Sequence, residues 1–379
     1  MITGKMYPVF FSLLRSGMYG TPIPEAELPD SIDWKSIIAL ARKHVVLGII
    51  IDSVALLPEH LHPSASTMAK MNKFAIGLIQ TNLILDRTAA RLVTFLREHD
   101  IEGVLLKGQG VARFYRQPQM RQCGDLDFYV GRKIYKKAVA LCKAHLMKKG
   151  GDCHETDQHF DFTLDKVTIE LHRIASRIYS PVRNAAFQKW VEEELEHSPE
   201  RRTLTVGETD ISLPPLDFDA IYIFYHAWRH FITGGIGMRQ ICDWAMIFHS
   251  KSEDIDKDKL VKNIRRFGMT VGWKLFACIA VRCLGVGAEK IPLYDPSFSK
   301  KADKVLEDIL DGGNFGYYSK ANMRTPIRGF GVKHALGKLR NFGEYYINLV
   351  PLIPVEATFI LFNRLTVGTV SYLKRSKSK

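Results

Sequence analysis

The sequence predicts an α+β fold, a small mixed sheet flanked by largely helical N- and C-terminal regions. Three observations carry this expectation. Residues 34–100 and 216–310 repeat apolar side chains at helical intervals, residues 103–213 break into short strand-length runs, and two of those runs alternate acidic with apolar residues. The expected division is a helical region at 1–95, an α+β core at 96–215 and a second helical region at 216–379. With 379 residues, 46% hydrophobic and 25% charged, the chain has the composition of a globular protein with core enough for two or three domains. Disordered, collagen-like and disulfide-stapled classes are excluded.

Taken in order, residues 6–20 form an apolar stretch interrupted by Arg15 with no small-residue cleavage site after it, so a short amphipathic helix is expected rather than a signal peptide. Helical patterns follow from Trp34, with a long run over 64–99. The texture then changes. Gly103 to Leu106 reads as a strand ending at Lys107-Gly108, 125–130 as another, and 133–149 as a helix. Residues 161–164 and 167–171 flank Asp165-Lys166 as a hairpin, and 203–206 with 210–213 form a second around Gly207. After Pro214-Pro215, helices are expected at 216–233, 239–250, 256–267, 272–284 and 297–310.

The formal charge is +13, from 53 Lys+Arg against 40 Asp+Glu. This admits nucleotides, nucleic acid or a membrane surface as partners, although no nucleic-acid-binding motif is visible. The basic tail 374–379 is the one dense cluster of cations. The apolar stretches 45–57 and 350–362 are broken by Asp52, and by Pro351, Pro354 and Glu356. Neither supplies the roughly 20 clean apolar residues of a bilayer span. The second, with Arg364 and the tail behind it, is a candidate for peripheral membrane contact, packing on the protein's own core being the expectation. Six cysteines without a CxxC pair argue against a four-cysteine zinc site and fit a reducing cytoplasm.

The chemistry concentrates between Leu105 and His172. In a strand, residues two apart share a face, so Asp125 and Asp127 stand side by side while Leu126 and Phe128 turn to a core. Adjacent like charges repel unless a cation lies between them. Hard divalent ions take carboxylate oxygens, and magnesium pairs one or two carboxylates with substrate phosphates. Glu170, in the run Val167-Thr168-Ile169-Glu170-Leu171-His172, supplies a third acid. Three acids on neighbouring strands suit two metal ions for in-line phosphoryl displacement. Upstream, the backbone of Gly108, Gln109 and Gly110 offers N–H groups to an anion, and Lys107, Arg113, Arg116 and Arg121 are candidate phosphate partners. Neither a Walker A loop nor a GxGxxG turn is present.

Leu106-Lys107-Gly108, Arg121-Gln122-Cys123-Gly124-Asp125-Leu126-Asp127 and Ile169-Glu170-Leu171-His172 together resemble the DNA-polymerase-β-like nucleotidyltransferase superfamily, and more closely the bacterial group of uncharacterised nucleotidyltransferases. The resemblance covers residues 95–215, with looser similarity to about 280 that includes Arg239 and Asp243. It implies a metal-dependent nucleotidyltransferase that moves a nucleoside monophosphate from an NTP, with ATP as the expected donor, to an unidentified hydroxyl-bearing acceptor (small molecule, sugar or protein). Asp125, Asp127 and Glu170 would hold Mg²⁺ or Mn²⁺, and Lys107, Gly108, Gln109, Gly110, Arg121 and Gly124 would contact the nucleotide. The superfamily's usual Gly-Ser turn is here Lys107-Gly108-Gln109, so a lysine or backbone group must replace the serine's phosphate contact. The alternative is a nucleotide- or nucleic-acid-binding or interaction protein on the same fold without transferase activity.

Further candidates are weaker. Arg113, Arg116, His172, His226, His230, Arg239 and Asp243 form a second tier. His226 and His230 share a helical face but lack the glutamate of a zinc-protease motif. Arg239 and Asp243, four apart, are expected to pair locally or to hold the helical region against the core. Cys153, His154 and His159 have metal-like composition in what reads as a loop, without a fourth ligand at a convincing spacing.

Overall fold

The computed structural model describes residues 6–147 and 151–318, together with 343, 346, 347, 350, 351, 353–355 and 357–362. Three helices open the chain: α1 (Met6–Tyr19), α2 (Trp34–Lys43) and α3 (Leu47–Val54). Asp33 caps α2 by accepting from Ser36 N, and Val45, at φ +58°, turns the chain sharply into α3. Helix α4 (Ala65–Arg97) runs 33 residues from its Ser64 cap.

The sheet contains β1 (Val104–Leu106), β2 (Asp125–Tyr129), β3 (Cys153–Glu155), β4 (His159–Leu164) and β5 (Val167–His172), in the order β1-β2-β5-β4-β3. β2 and β5 are parallel and the other pairs antiparallel, so the sheet is mixed as expected. Helix α5 (Gly108–Ala112) follows β1, and α6 (Gly131–Leu141), extended by one π turn, follows β2. Asp165 and Lys166, at φ +51° and +68°, make the two-residue turn between β4 and β5, the left-handed pair that a tight hairpin needs.

Helix α7 (Pro181–Glu192) precedes a separate hairpin of β6 (Arg202–Val206) and β7 (Thr209–Leu213), turning at Gly207. Then come α8 (Leu216–Phe231), α9 (Met238–Lys251), α10 (Lys257–Arg266), α11 (Thr270–Leu284) and α12 (Ser299–Gly312). Three elements depart from the sequence expectations. Residues 153–155 are a strand rather than a loop. The first hairpin begins at His159, since His159 and Asp161 alternate with Phe160 and Phe162. Helix α7 was not expected, because its apolar residues make no clear helical stripe.

Two apolar cores result. One lies under a single face of the sheet, where Leu126, Phe128, Phe160, Phe162, Ile169 and Leu171 meet Leu85, Ala89 and Leu92 of α4. The other joins α1–α3 to α7–α12 around Trp244, Trp273, Phe224 and Phe276. Thus N- and C-terminal helices share one interior, and α4 contributes Met71 to it as well. Ile353, Ala357 and Ile360 are buried in the same core, whereas Val355 and Phe362 are exposed. The basic tail 374–379 lies outside the described residues. Among the described residues, no helix is long and apolar enough to cross a membrane.

Candidate functional site

The strand register gathers the acids. Parallel pairing of β2 with β5 sets Asp127 opposite Glu170 and Asp125 opposite Thr168. Antiparallel pairing of β4 continues the row to Asp161, which faces Glu170. All of these occupy the polar face of the sheet, because the alternate residues fill the apolar core beneath. A cleft of about 290 Å³ opens over that face, roofed by α8 and α9, with Lys107, Gly108, Asp125, Asp127, Glu170 and His172 in its floor and walls.

Asp127 is the electrostatic centre. It is buried, with Lys107 Nζ at 2.9 Å from its Oδ1 and His172 Nε2 at 3.0 Å from the same oxygen. Burial opposes its ionisation, but Lys107 first and His172 next hold its carboxyl well below the usual carboxylate range. Lys107 is correspondingly raised: burial alone would lower it, and Asp127, Tyr222 and Asp125 more than offset that. His172 is raised despite burial by its contacts with Asp127 and Glu170, whose Oε2 lies 3.2 Å from Nε2. Asp125 differs. It keeps solvent contact at the mouth, and its carboxyl makes no ion pair among the described residues. Loss of hydration in the crowded mouth, then the charge of Asp127, pushes it above the usual range.

By donor chemistry these carboxylates suit a hard divalent cation. Asp125 is an unneutralised carboxylate beside another on the same strand face, with Glu170 one strand away, and a cation there would relieve the repulsion that raises Asp125. Asp125, Asp127 and Glu170 could therefore hold Mg²⁺ or Mn²⁺.

The turn between β1 and α5 is strained. Lys107 has φ +52° and ψ −135°, a region rarely taken by a residue with a side chain, and Gly108 follows at φ +38°. Such conformations persist where the surroundings enforce them, and they cluster at functional sites. Here the twist aims the Lys107 ammonium back at Asp127. It also leaves Gly108 bare on the cleft wall, where a Cβ would approach Cys123 Sγ to 3.3 Å.

On the roof, the rings of His226 and His230 of α8 meet at 4.5 Å between centroids with their planes tilted by 59°, and Lys107 Nζ lies 3.4 Å from His226. Burial, then Lys107, drives His226 well below its ordinary value. Burial, then Arg229, lowers His230 to about 4. Both are neutral at pH 7 and face a charged floor.

Other expected residues are placed elsewhere. Gln109 is buried against α4, its amide donating to Asp86 Oδ1 at 2.6 Å. Gly110 packs on β7, where a Cβ would sit 2.9 Å from Leu213. Arg113 pairs with Asp86 at 2.9 Å and Arg116 with Asp52 at 2.8 Å; neither lines the cleft. Gly124 has open space around its α-carbon. Arg121 borders the cleft but is buried, with Nε and Nη2 each donating to Asp243 at 2.7 Å. Of the two expectations for Arg239 and Asp243, the local pair is corrected and the tie to the core is what the structure has: Asp243 serves Arg121 and Tyr115, while Arg239 donates to Gln122 O at 2.9 Å. Helical spacing made the local pair available, and the long-range partners are more deeply buried.

Sequence reasoning passed over Tyr222, Arg229, Gln158 and Phe315, which also line the cleft, and gave His159 no place beside the acids. His159 was within reach of the two-residue alternation of 159–164. The others come from α8 and loops whose place over the sheet no local pattern encodes.

The acids thus line a cleft on the polar face of a mixed sheet, beside a glycine turn. A family model described as uncharacterised nucleotidyltransferase matches residues 30–285, more than half of the chain, and the chain belongs to that family. Nucleotidyl transfer is the general activity of the class. Among solved structures, an antigenic nucleotidyltransferase-like protein from Paracoccidioides brasiliensis is similar at 13% identity and a TM-score of 0.36, over 56% of this chain and 95% of that one. No curated protein matches the chain.

Proposed function

We propose that this protein transfers a nucleoside monophosphate from an NTP, with ATP the expected donor, to a hydroxyl-bearing acceptor. The observation that carries the reading is the register that sets Asp127 beside Glu170, with Asp125 on the same face opening to the cleft. In this reading Asp125, Asp127 and Glu170 hold divalent metal. Bound there, Mg²⁺ would neutralise phosphate charge and lower the pKa of the attacking hydroxyl.

The chain's own residues do the rest. Lys107, already charged and fixed 2.9 Å from Asp127, stands where it can meet a phosphate oxygen when the triphosphate enters. The Gly108 backbone lets that triphosphate approach closely, which replaces the missing serine. His172 holds Asp127 ionised and in place. The neutral His226 and His230 offer ring nitrogens to the donor or acceptor without adding charge to the roof. Catalysis of this kind is positioning and electrostatics, and needs no covalent nucleophile.

The division into a transferase core at 96–215 with flanks at 1–95 and 216–379 belongs to the same proposal, the flanks supplying the roof and, through it, acceptor selection. A cytoplasmic location, where NTPs are plentiful, fits it. The test is incubation of the protein with α-labelled NTPs, Mg²⁺ and fractionated small molecules, sugars and proteins. Label transfer with matching pyrophosphate release, absent in Asp125→Asn, is expected. Nucleotide binding without transfer to any fraction would favour the binding-protein alternative.

A further inference from the structure

The floor of the cleft also holds a second kind of donor set. Among the described residues, His159, Glu170 and His172 present ligand atoms that all lie within 4.8 Å of one another. We propose that these three residues bind a divalent transition ion of the Zn²⁺ class, as a two-histidine, one-carboxylate site beside Asp125 and Asp127.

The spacing is close to what such an ion needs. Donors about 2.0–2.1 Å from a tetrahedral ion stand about 3.3 Å apart. His172 Nε2 is 3.2 Å from Glu170 Oε2, and His159 Nδ1 is 3.9 Å from the same oxygen, a gap that a small rotation of the half-buried His159 ring closes. The outer contacts give an independent reason. Histidine ligands commonly set their other ring nitrogen against a carboxylate or carbonyl, which fixes the tautomer and aims the lone pair. Here His172 Nδ1 lies 3.4 Å from Ile174 O, and His159 Nε2 stands 3.2 Å from Asp161 Oδ1, a buried oxygen with no hydrogen-bond partner among the described residues, which a turn of the His159 ring would bring into line. In the metal-free protein His172 Nε2 carries the proton that it shares with Asp127 and Glu170; an entering cation displaces that proton to water, and with the remaining protons on His172 Nδ1 and His159 Nε2, His172 Nε2 and His159 Nδ1 then turn lone pairs toward Glu170. Asp127 Oδ1, 3.0 Å from His172 Nε2, borders the remaining side, and the cleft leaves room there for water or phosphate. Imidazole nitrogen favours zinc, nickel or cobalt over magnesium and manganese, so this corner and the all-oxygen mouth differ in the metal they prefer. The inference rests on the transfer reading only in that Glu170 is common to both.

Cobalt is the probe, because its visible spectrum reports the ligands. Co²⁺ is titrated into the full chain in excess Mg²⁺, with folding checked by circular dichroism. The expected result is one tight Co²⁺ with visible bands of a nitrogen–oxygen site and no near-ultraviolet thiolate band. His159→Gln should weaken binding at least tenfold, and Asp161→Asn by about 10–100-fold as an outer-contact loss. No site-specific cobalt in the folded wild type, a thiolate band alone, or full affinity in His159→Gln overturns the proposal. Cobalt binding in a protein that binds no NTP would overturn the transfer reading and leave this site standing.

Discussion

Asp243→Ala is a perturbation whose size follows from the geometry. Arg121 is 4% exposed, its Nε and Nη2 both donate to Asp243 at 2.7 Å, and Tyr115 Oη donates to the same carboxylate at 2.8 Å. Alanine strands a buried guanidinium, and deleting one partner of a buried ion pair costs about 3–5 kcal/mol. The orphaned tyrosine hydroxyl adds about 1–3 kcal/mol. Water entering from the adjoining cleft returns part of this, so a net loss of about 4 kcal/mol is expected. Arg91 and Asp165 provide the contrast: their side chains are 53% and 43% exposed, and losing that pair should cost less than about 1 kcal/mol. Urea unfolding at neutral pH of the wild type, Asp243→Ala and Arg91→Ala makes the comparison. The combined Arg121→Met/Asp243→Leu variant should recover most of the loss, since apolar replacements of both partners leave no charge behind. Equal losses at the two pairs, or under about 1 kcal/mol for Asp243→Ala, would refute the reasoning that burial sets the scale.

Three further outcomes are expected. His44 is wholly buried and its pKa is lowered to about 3 by burial and then Lys43; a lowered base is neutral in the fold, so its contribution is intact above the unfolded value and is lost as pH falls from about 6.5 toward 3. That loss runs at up to about 1.4 kcal/mol per pH unit, and His44→Met should remove it from the pH profile of unfolding. Gly48→Ala would put a Cβ 2.0 Å from Met120 O and 2.6 Å from Leu78 Cδ2, so α3 must shift, at a cost of about 3 kcal/mol measurable by denaturant. Lys107→Met should weaken ATP binding at least tenfold by calorimetry, and an unchanged affinity would remove Lys107 from the phosphate grip.

Much of the sheet was legible because period-two alternation is a local signal. Leu126 and Phe128 against Asp125 and Asp127, and Ile169 and Leu171 against Glu170, give both the strands and the face on which the acids stand. The long α4 and the helices after Pro215 were legible for the same reason at the helical period. The partners of arginine were not. Arg113, Arg116 and Arg121 read as free cations near a phosphate site, yet they answer Asp86, Asp52 and Asp243, acids separated from them by 27, 64 and 122 positions. The roof was equally hidden: nothing in the sequence around Tyr222 and His226 states that α8 lies over β2 and β5. Gln109 looked like part of an anion-binding turn, but five residues of helix suffice to rotate it onto α4.

The central claim is a nucleotide site built on Asp125, Asp127 and Glu170. Its most direct test is thermal stability with and without Mg²⁺ and each of the four NTPs, on the wild type and on Asp125→Asn. The exposed position of Asp125 makes that variant safe for folding. At a ligand concentration 100 times the dissociation constant, binding adds about 2.7 kcal/mol. The account predicts a Mg²⁺-dependent rise with at least one NTP, ATP first, and its loss in Asp125→Asn. A folded wild type that no nucleotide stabilises, or an equal rise in the variant, would contradict it.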